Sequence, residues 1–204
     1  MSLFRWIRAC ADWVRVRILW IRTPEPLKRQ ASVHEAGHAL AAWVLPTFGQ
    51  VLRVSVLPNG ATRGHTLATH TLSSPAEPEE IVHLMTMAMA GAAAECLLIG
   101  KSDAGSTDDI IGTLAWWLVG RHGMPRRTAG VIAFMLVREL ASGNPARQLR
   151  AHAVIEPPIS FAAARAFELL RLHRDALEKL ADALRRRKTL DHAGMLKVLG
   201  PRPP

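Results

Sequence analysis

The sequence predicts a mostly α-helical protein with one small β element, preceded by an amphipathic N-terminal helix. Three observations lead there. Apolar residues recur at helical spacing along most of the chain, in runs bounded by proline, glycine and acidic starts. Valine-rich, partly alternating sequence is confined to residues 51–58 and the segment that follows. The apolar fraction of 49% and charged fraction of 21% are those of a globular chain, and 204 residues suffice for one domain with a short appendage.

The elements follow in order. In residues 1–22, Leu3, Ile7, Val14, Ile18 and Ile21 share one helical face, flanked by Trp6, Trp13 and Trp20. Arg5, Arg8, Asp12 and Arg15 lie opposite, Arg22 at the margin, and only Arg17 intrudes on the apolar side. This pattern suits a helix lying on a membrane surface and equally one packed on protein. Pro24 and Pro26 read as a linker, which sets residues 1–26 apart from a domain over 27–204. A helix is expected from Leu27 to Leu45, ending before Pro46. Strands are expected over 51–58 and 62–70, joined by the Asn59-Gly60 turn. The loop "SSPAEPEE" starts a helix that runs to Ile99 and stops at Gly100. Ser106 or Thr107 can cap the next helix, with Asp108 and Asp109 in its first turn. Residues 124–140 read as helical in their second part and residues 142–158 as a loop. A single long helix is expected over 159–187, with Leu169, Leu170, Leu177, Leu180 and Leu184 near its buried side, then a short capped terminal helix.

Charge and cysteine content bound the partners and the compartment. The net charge of +9 favours anionic partners, but no nucleic-acid-binding motif accompanies it, so nucleic acid is not expected. Cys10 and Cys96 have no metal-type spacing; a disulfide scaffold is not expected, and a reducing, cytoplasmic setting fits. No secretory signal is visible, because Arg8, Asp12, Arg15 and Arg17 break the N-terminal apolar stretch. The most apolar internal run, Leu84 to Ile99, is shorter than the roughly 20 residues of a membrane span and contains Glu95, so it reads as a buried helix.

The chemistry concentrates in "SVHEAGHALAAW", residues 32–43. On a helix, positions four apart stack on one face, so His34 and His38 can present two imidazoles to one point. That arrangement suits two corners of a tetrahedral zinc site, and Glu35 can reach a water there as general base. The pattern HExxH alone is weak, but here it runs into Ala39, Leu40, Ala41, Ala42 and Trp43. The helix is therefore buried, and buried imidazoles and carboxylates need partners. A catalytic zinc requires a third protein ligand. The candidates are His65 and His70 on the second strand, Glu95 in "AGAAAECLLIG", and Asp108 and Asp109. Spacing leaves Glu95 and Asp109 level; acids in a first helical turn also favour the helix dipole without any metal. "GKS" at 100–102 is not a phosphate loop, since the position requiring the first glycine is Glu95 and the segment follows a helix.

Over residues 28–200 the chain resembles the peptidase domain of the FtsH family of membrane-anchored AAA+ zinc proteases. "HEAGHAL" at 34–40 carries the resemblance, with "AGAAAECLLIG" at 90–100 against a GGRAAEE-type segment and "AGSTDDI" at 104–110 against a TGASNDI-type segment. "GMP" at 123–125 and "LEKLADALRRRKTLD" at 177–191 match more weakly. The resemblance implies Zn2+ held by His34, His38 and Asp109, Glu35 as general base, and Glu95 orienting a ligand imidazole. It also implies that a substrate strand pairs around Arg63 to Thr69 by β-augmentation. The family's protease modules form hexameric rings, so a homo-oligomer is an implied partner. Departures are equally plain. No ATPase motif occurs in the 204 residues, no transmembrane helix is seen, Cys96 replaces the second glutamate of the AEE segment, and Asp108 replaces the asparagine before the ligand aspartate. The expected activity is thus an ATP-independent zinc endopeptidase acting on peptides or unfolded segments. It would be cytoplasmic and peripheral at the inner membrane face through residues 1–22. The alternative is a non-catalytic binding or adaptor protein that modulates a membrane protease.

Overall fold

A computed structural model describes residues 17–58, 64–102 and 107–203. The expected helix over residues 1–16, the Asn59-Gly60 turn and the Ser106 cap lie outside the described residues. Residues 17–22 are helical; Trp20 is buried in the main core, while Ile18, Leu19 and Ile21 are exposed.

Helix α1 spans Glu25–Val44. Pro24 stands at its N-cap and Pro26 in its first turn, where a missing N–H costs nothing. The two prolines therefore open this helix instead of forming a linker, which corrects the expected start at Leu27. From Ser32 to Trp43 the helix is buried on nearly every side, which explains why its apolar residues are not confined to one stripe.

Helix α2, Pro78–Ile99, starts with a reciprocal cap between Glu77 and Glu80 and ends at Gly100. It is long and apolar enough to cross a membrane, yet 67% of its most apolar stretch is buried inside the protein. It packs on α1 and on two further helices, α3 (Thr107–His122) and α5 (Pro145–Leu172). It is the core helix expected from Glu95 and the short apolar run. Where α1 and α2 cross, a Cβ on Gly37 would collide with the Ala90 carbonyl oxygen and lie 2.7 Å from the Ala94 methyl. A residue without a side chain lets the two backbones approach there.

The sheet has three antiparallel strands in the order β2-β1-β3: β1 Phe48–Ser55, β2 His65–His70 and β3 Thr189–Asp191. The first strand begins and ends three residues before the expected span, the second starts at His65, and β3 was not expected. Val51 and Val54 of β1 point into the core, and Val54 pairs with Thr66 on one side and Leu190 on the other. Strand β2 is an edge.

The C-terminal half brings two corrections. Residues 145–158 are not a loop: Asn144 caps α5 by accepting from the Ala146 and Arg147 amides, and α5 continues through Pro157 and Pro158. Prolines disfavour a helix interior, but here burial of Ala151, Ile155, Pro158, Ala162, Ala166 and Leu170 holds the helix together. The expected single helix over 159–187 is two. Helix α5 ends at Leu172, His173 leaves helical geometry, and α6 spans Arg174–Arg187. The break turns α6 onto α1, where Leu177, Leu180 and Leu184 are buried. Helix α4, Arg126–Leu140, is helical throughout, and α7, His192–Leu199, is capped by Asp191. A second, smaller core joins α3, α4 and α5 around Leu114, Leu118, Ala129, Ala133 and Ile155.

Candidate metal centre

The centre forms where α1, α2, the start of α3 and β2 meet. His34 and His38 of α1 turn their Nε2 atoms toward each other, 3.0 Å apart. Asp109, in the first turn of α3, places its carboxylate oxygens 3.2 Å from His34 Nε2 and 3.5 Å from His38 Nε2. The three side chains thus converge on one point. A tetrahedral zinc with ligands at about 2.0–2.1 Å holds its ligand atoms roughly 3.3–3.4 Å from one another. The observed separations of 3.0, 3.2 and 3.5 Å bracket that spacing, with one Asp109 oxygen facing each imidazole.

The outer nitrogens fix the tautomers. His38 Nδ1 donates to the Met87 carbonyl at 2.8 Å, and His34 Nδ1 lies 2.8 Å from Glu95 Oε1. With the outer N–H groups donating to carbonyl and carboxylate oxygens, each Nε2 is left as the lone-pair donor a metal requires. Space is reserved as well. A Cβ on Gly91 of α2 would stand 2.6 Å from both Nε2 atoms. The electrostatics favour a cation. Burial alone would lower both imidazoles, but Asp109 and Glu95 outweigh it at His34 and push it up to about 10; Asp109 likewise raises His38. Burial opposes ionisation of Asp109, but the two imidazoles overcome it and hold its carboxyl far below the usual range. A divalent metal supplies at one point the positive charge that these carboxylates otherwise draw in as protons.

Glu35 is buried beside this cluster. Burial raises its pKa, opposed by His38, His34 and a hydrogen bond from Thr66. Thr66 Oγ1, on β2, donates to Glu35 Oε2 at 2.9 Å, and Gly64 also packs against that carboxylate. The edge strand and Glu35 are therefore in direct contact. Glu95 accepts from Gln30 Nε2 at 3.1 Å through its second oxygen.

Of the third-ligand candidates, Asp109 joins the cluster and Glu95 stands behind His34. Asp108 is exposed, one residue round the helix. His65 and His70 sit at the two ends of β2; His70 packs edge-on against Trp116 and Phe48. Neither histidine is among the converging donors. Gln30, Thr66, Met87 and Gly91 were not anticipated. Gln30 had a weak signal, lying four residues before His34 on the same helical face. The others become visible only when α2 and β2 are docked on α1.

A helix-borne His-Glu-x-x-His pair with a carboxylate from a second helix defines the HExxH class of zinc metalloproteases. The comparisons agree: the profile of peptidase family M41 matches residues 22–198, and the chain belongs to that family. An "ATP-dependent zinc metalloprotease FtsH 3" of Symbiobacterium thermophilum is 30% identical over 200 residues, covering 88% of this chain and 31% of its own length. An "ATP-dependent zinc metalloprotease FtsH" of Methylibium petroleiphilum is 32% identical, covering 85% and 31%. The mouse "Mitochondrial inner membrane m-AAA protease component AFG3L2" is 29% identical, covering 86% and 23%. The chain thus spans under a third of the length of these relatives, and no ATPase module lies within its 204 residues. The names of the two bacterial relatives state zinc as their metal.

Proposed function

We propose that this chain is a zinc metallo-endopeptidase that cleaves peptides and unfolded protein segments without ATP. His34, His38 and Asp109 hold the zinc, Glu35 is the general base, and Glu95 fixes the His34 ring. The observation that carries this reading is the position of Glu35, buried within electrostatic reach of His34, His38 and Asp109 and hydrogen-bonded by Thr66 of the edge strand β2. When bound, zinc supplies the Lewis acidity that lowers a water's pKa and polarises a peptide carbonyl. Glu35 would take a proton from the water whose oxygen bonds to the peptide carbonyl carbon and return it to the amine nitrogen as the C–N bond breaks. An extended substrate would pair along the open edge of β2 by backbone hydrogen bonds, which brings its carbonyls past the base. Support for ATP independence is that the side chains named above come from α1, α2, α3 and β2 and ATP enters none of their roles. We also assign the sequence before α1 as a basic amphipathic appendage to the peptidase domain, anchored on it at Trp20, cytoplasmic and peripheral at the inner membrane face, and a homo-oligomer as the working assembly.

The test is cleavage of unfolded casein by the zinc-loaded protein, with and without ATP. Glu35→Gln should retain zinc and lose roughly 10²–10⁴-fold in rate, the range for loss of a general base. Equal rates for wild type and Glu35→Gln would favour the adaptor reading. A requirement for ATP would reject the ATP-independent one.

A further inference from the structure

Gln30 lies one helical turn before His34 on α1, and the two residues grip Glu95 of α2 from the same face. Glu95 Oε1 meets His34 Nδ1 at 2.8 Å, and Gln30 Nε2 donates to Oε2 at 3.1 Å. Glu95 is 5% exposed. A buried carboxylate beside an imidazole can rotate about its Cγ–Cδ bond unless its second oxygen is also held. An ionised carboxylate only accepts, so the Gln30 amide must present its NH2 group to it. The imidazole plane is set by this carboxylate, and the plane decides where the Nε2 lone pair points.

We infer that Gln30 is a positioning residue for the zinc centre: it locks the Glu95 carboxylate and thereby aims His34 at the metal. The inference rests on the ligand assignment proposed above. Its logic separates hydrogen-bond donation from packing. Gln30→Met keeps length and shape but removes the donor. Gln30→Lys keeps a donor that can reach the same oxygen. Gln30→Ala provides a second donor-free variant should methionine disturb folding.

The experiment uses the full chain and measures zinc affinity by competition with a chromophoric chelator, together with the visible spectrum of the Co2+-substituted protein. Gln30→Met and Gln30→Ala should bind zinc roughly tenfold more weakly, the lower end for loss of a partner that orients a metal ligand. Their cobalt bands should shift. Gln30→Lys should stay within about twofold of wild type, as expected if only the donor matters. The melting temperatures of the metal-free proteins should stay together. Wild-type affinity and an unshifted cobalt spectrum in Gln30→Met would overturn the inference, as would equal loss in Gln30→Met and Gln30→Lys. His34→Ala, run in parallel, should abolish tight binding. If it held zinc as wild type does, the ligand assignment itself would fall, and the Gln30 role with it.

Discussion

His34 shows what a single side chain contributes here. Its ring nitrogens face opposite ways, one toward Glu95 and one toward Asp109 and His38. With no metal between them, these carboxylates stabilise the imidazolium, and His34 titrates near 10 instead of 6.5. A raised folded-state value stabilises the protein below the unfolded value of 6.5, and that stabilisation disappears as pH rises toward 10. The chelator-treated protein should therefore melt at progressively lower temperature from pH 6.5 to 10. Zinc needs the deprotonated imidazoles, so the rise in melting temperature on adding zinc should grow over the same interval. Parallel pH profiles with and without zinc would contradict this coupling. Gly91 gives a second residue-scale prediction. Alanine is the better helix former by about 1 kcal/mol, yet its methyl would stand 2.6 Å from both Nε2 atoms. Gly91→Ala should lose zinc at least about tenfold in affinity without losing helicity, read by chelator competition and circular dichroism.

At the scale of elements, the site depends on how α1 is held at both ends. Its last turn contains no basic residue. Arg202, far along the chain, meets the exposed carbonyls instead: Nε donates to Trp43 at 2.9 Å, Nη2 to Leu45 at 3.2 Å and Ala42 at 3.3 Å, and Nη1 to Gly49 on β1. A cation at a helix C-terminus also complements its dipole. Arg202→Ala should lower stability by about 1–2 kcal/mol, as for charged hydrogen bonds that remain partly solvated, read as a lower urea midpoint at unchanged slope. An unchanged midpoint would mean the tail is not fastened in solution. The elements were unevenly legible. Helices α1 and α2 were readable because burial and acidic starts left a local signature. The α5–α6 break at His173 was not, since neither glycine nor proline marks it; the turn exists because α6 must lie on α1. Pro157 and Pro158 misled in the opposite sense, because buried neighbours outweighed a local penalty.

For the molecule as a whole, the basic charge and the N-terminal segment form one question. Trp20 is fixed in the core, while Ile18, Leu19 and Ile21 are exposed. Arg185 reaches Glu25 at 2.8 Å, which brings the basic end of α6 next to this set. A truncation that tests membrane contact must therefore spare Trp20. Removing residues 1–16 should leave zinc content intact and reduce co-sedimentation with anionic vesicles by roughly tenfold or more, since each lost basic residue contributes about 1 kcal/mol near such a surface. Undiminished binding would move the contact to the domain itself. The sequence alone determined the fold class and the buried helix bearing His34, Glu35 and His38, and the family resemblance pointed to Asp109 as the acid that joins the two imidazoles. Those properties are local or repeated along the chain, so a linear reading finds them. Only the tertiary structure decided that Gly91 leaves room for the imidazoles, that Thr66 touches Glu35, and that Gln30 holds Glu95 from behind. Those contacts join residues more than twenty-five positions apart, and spacing along a chain does not encode which surfaces meet until α1, α2 and β2 bury their apolar faces together.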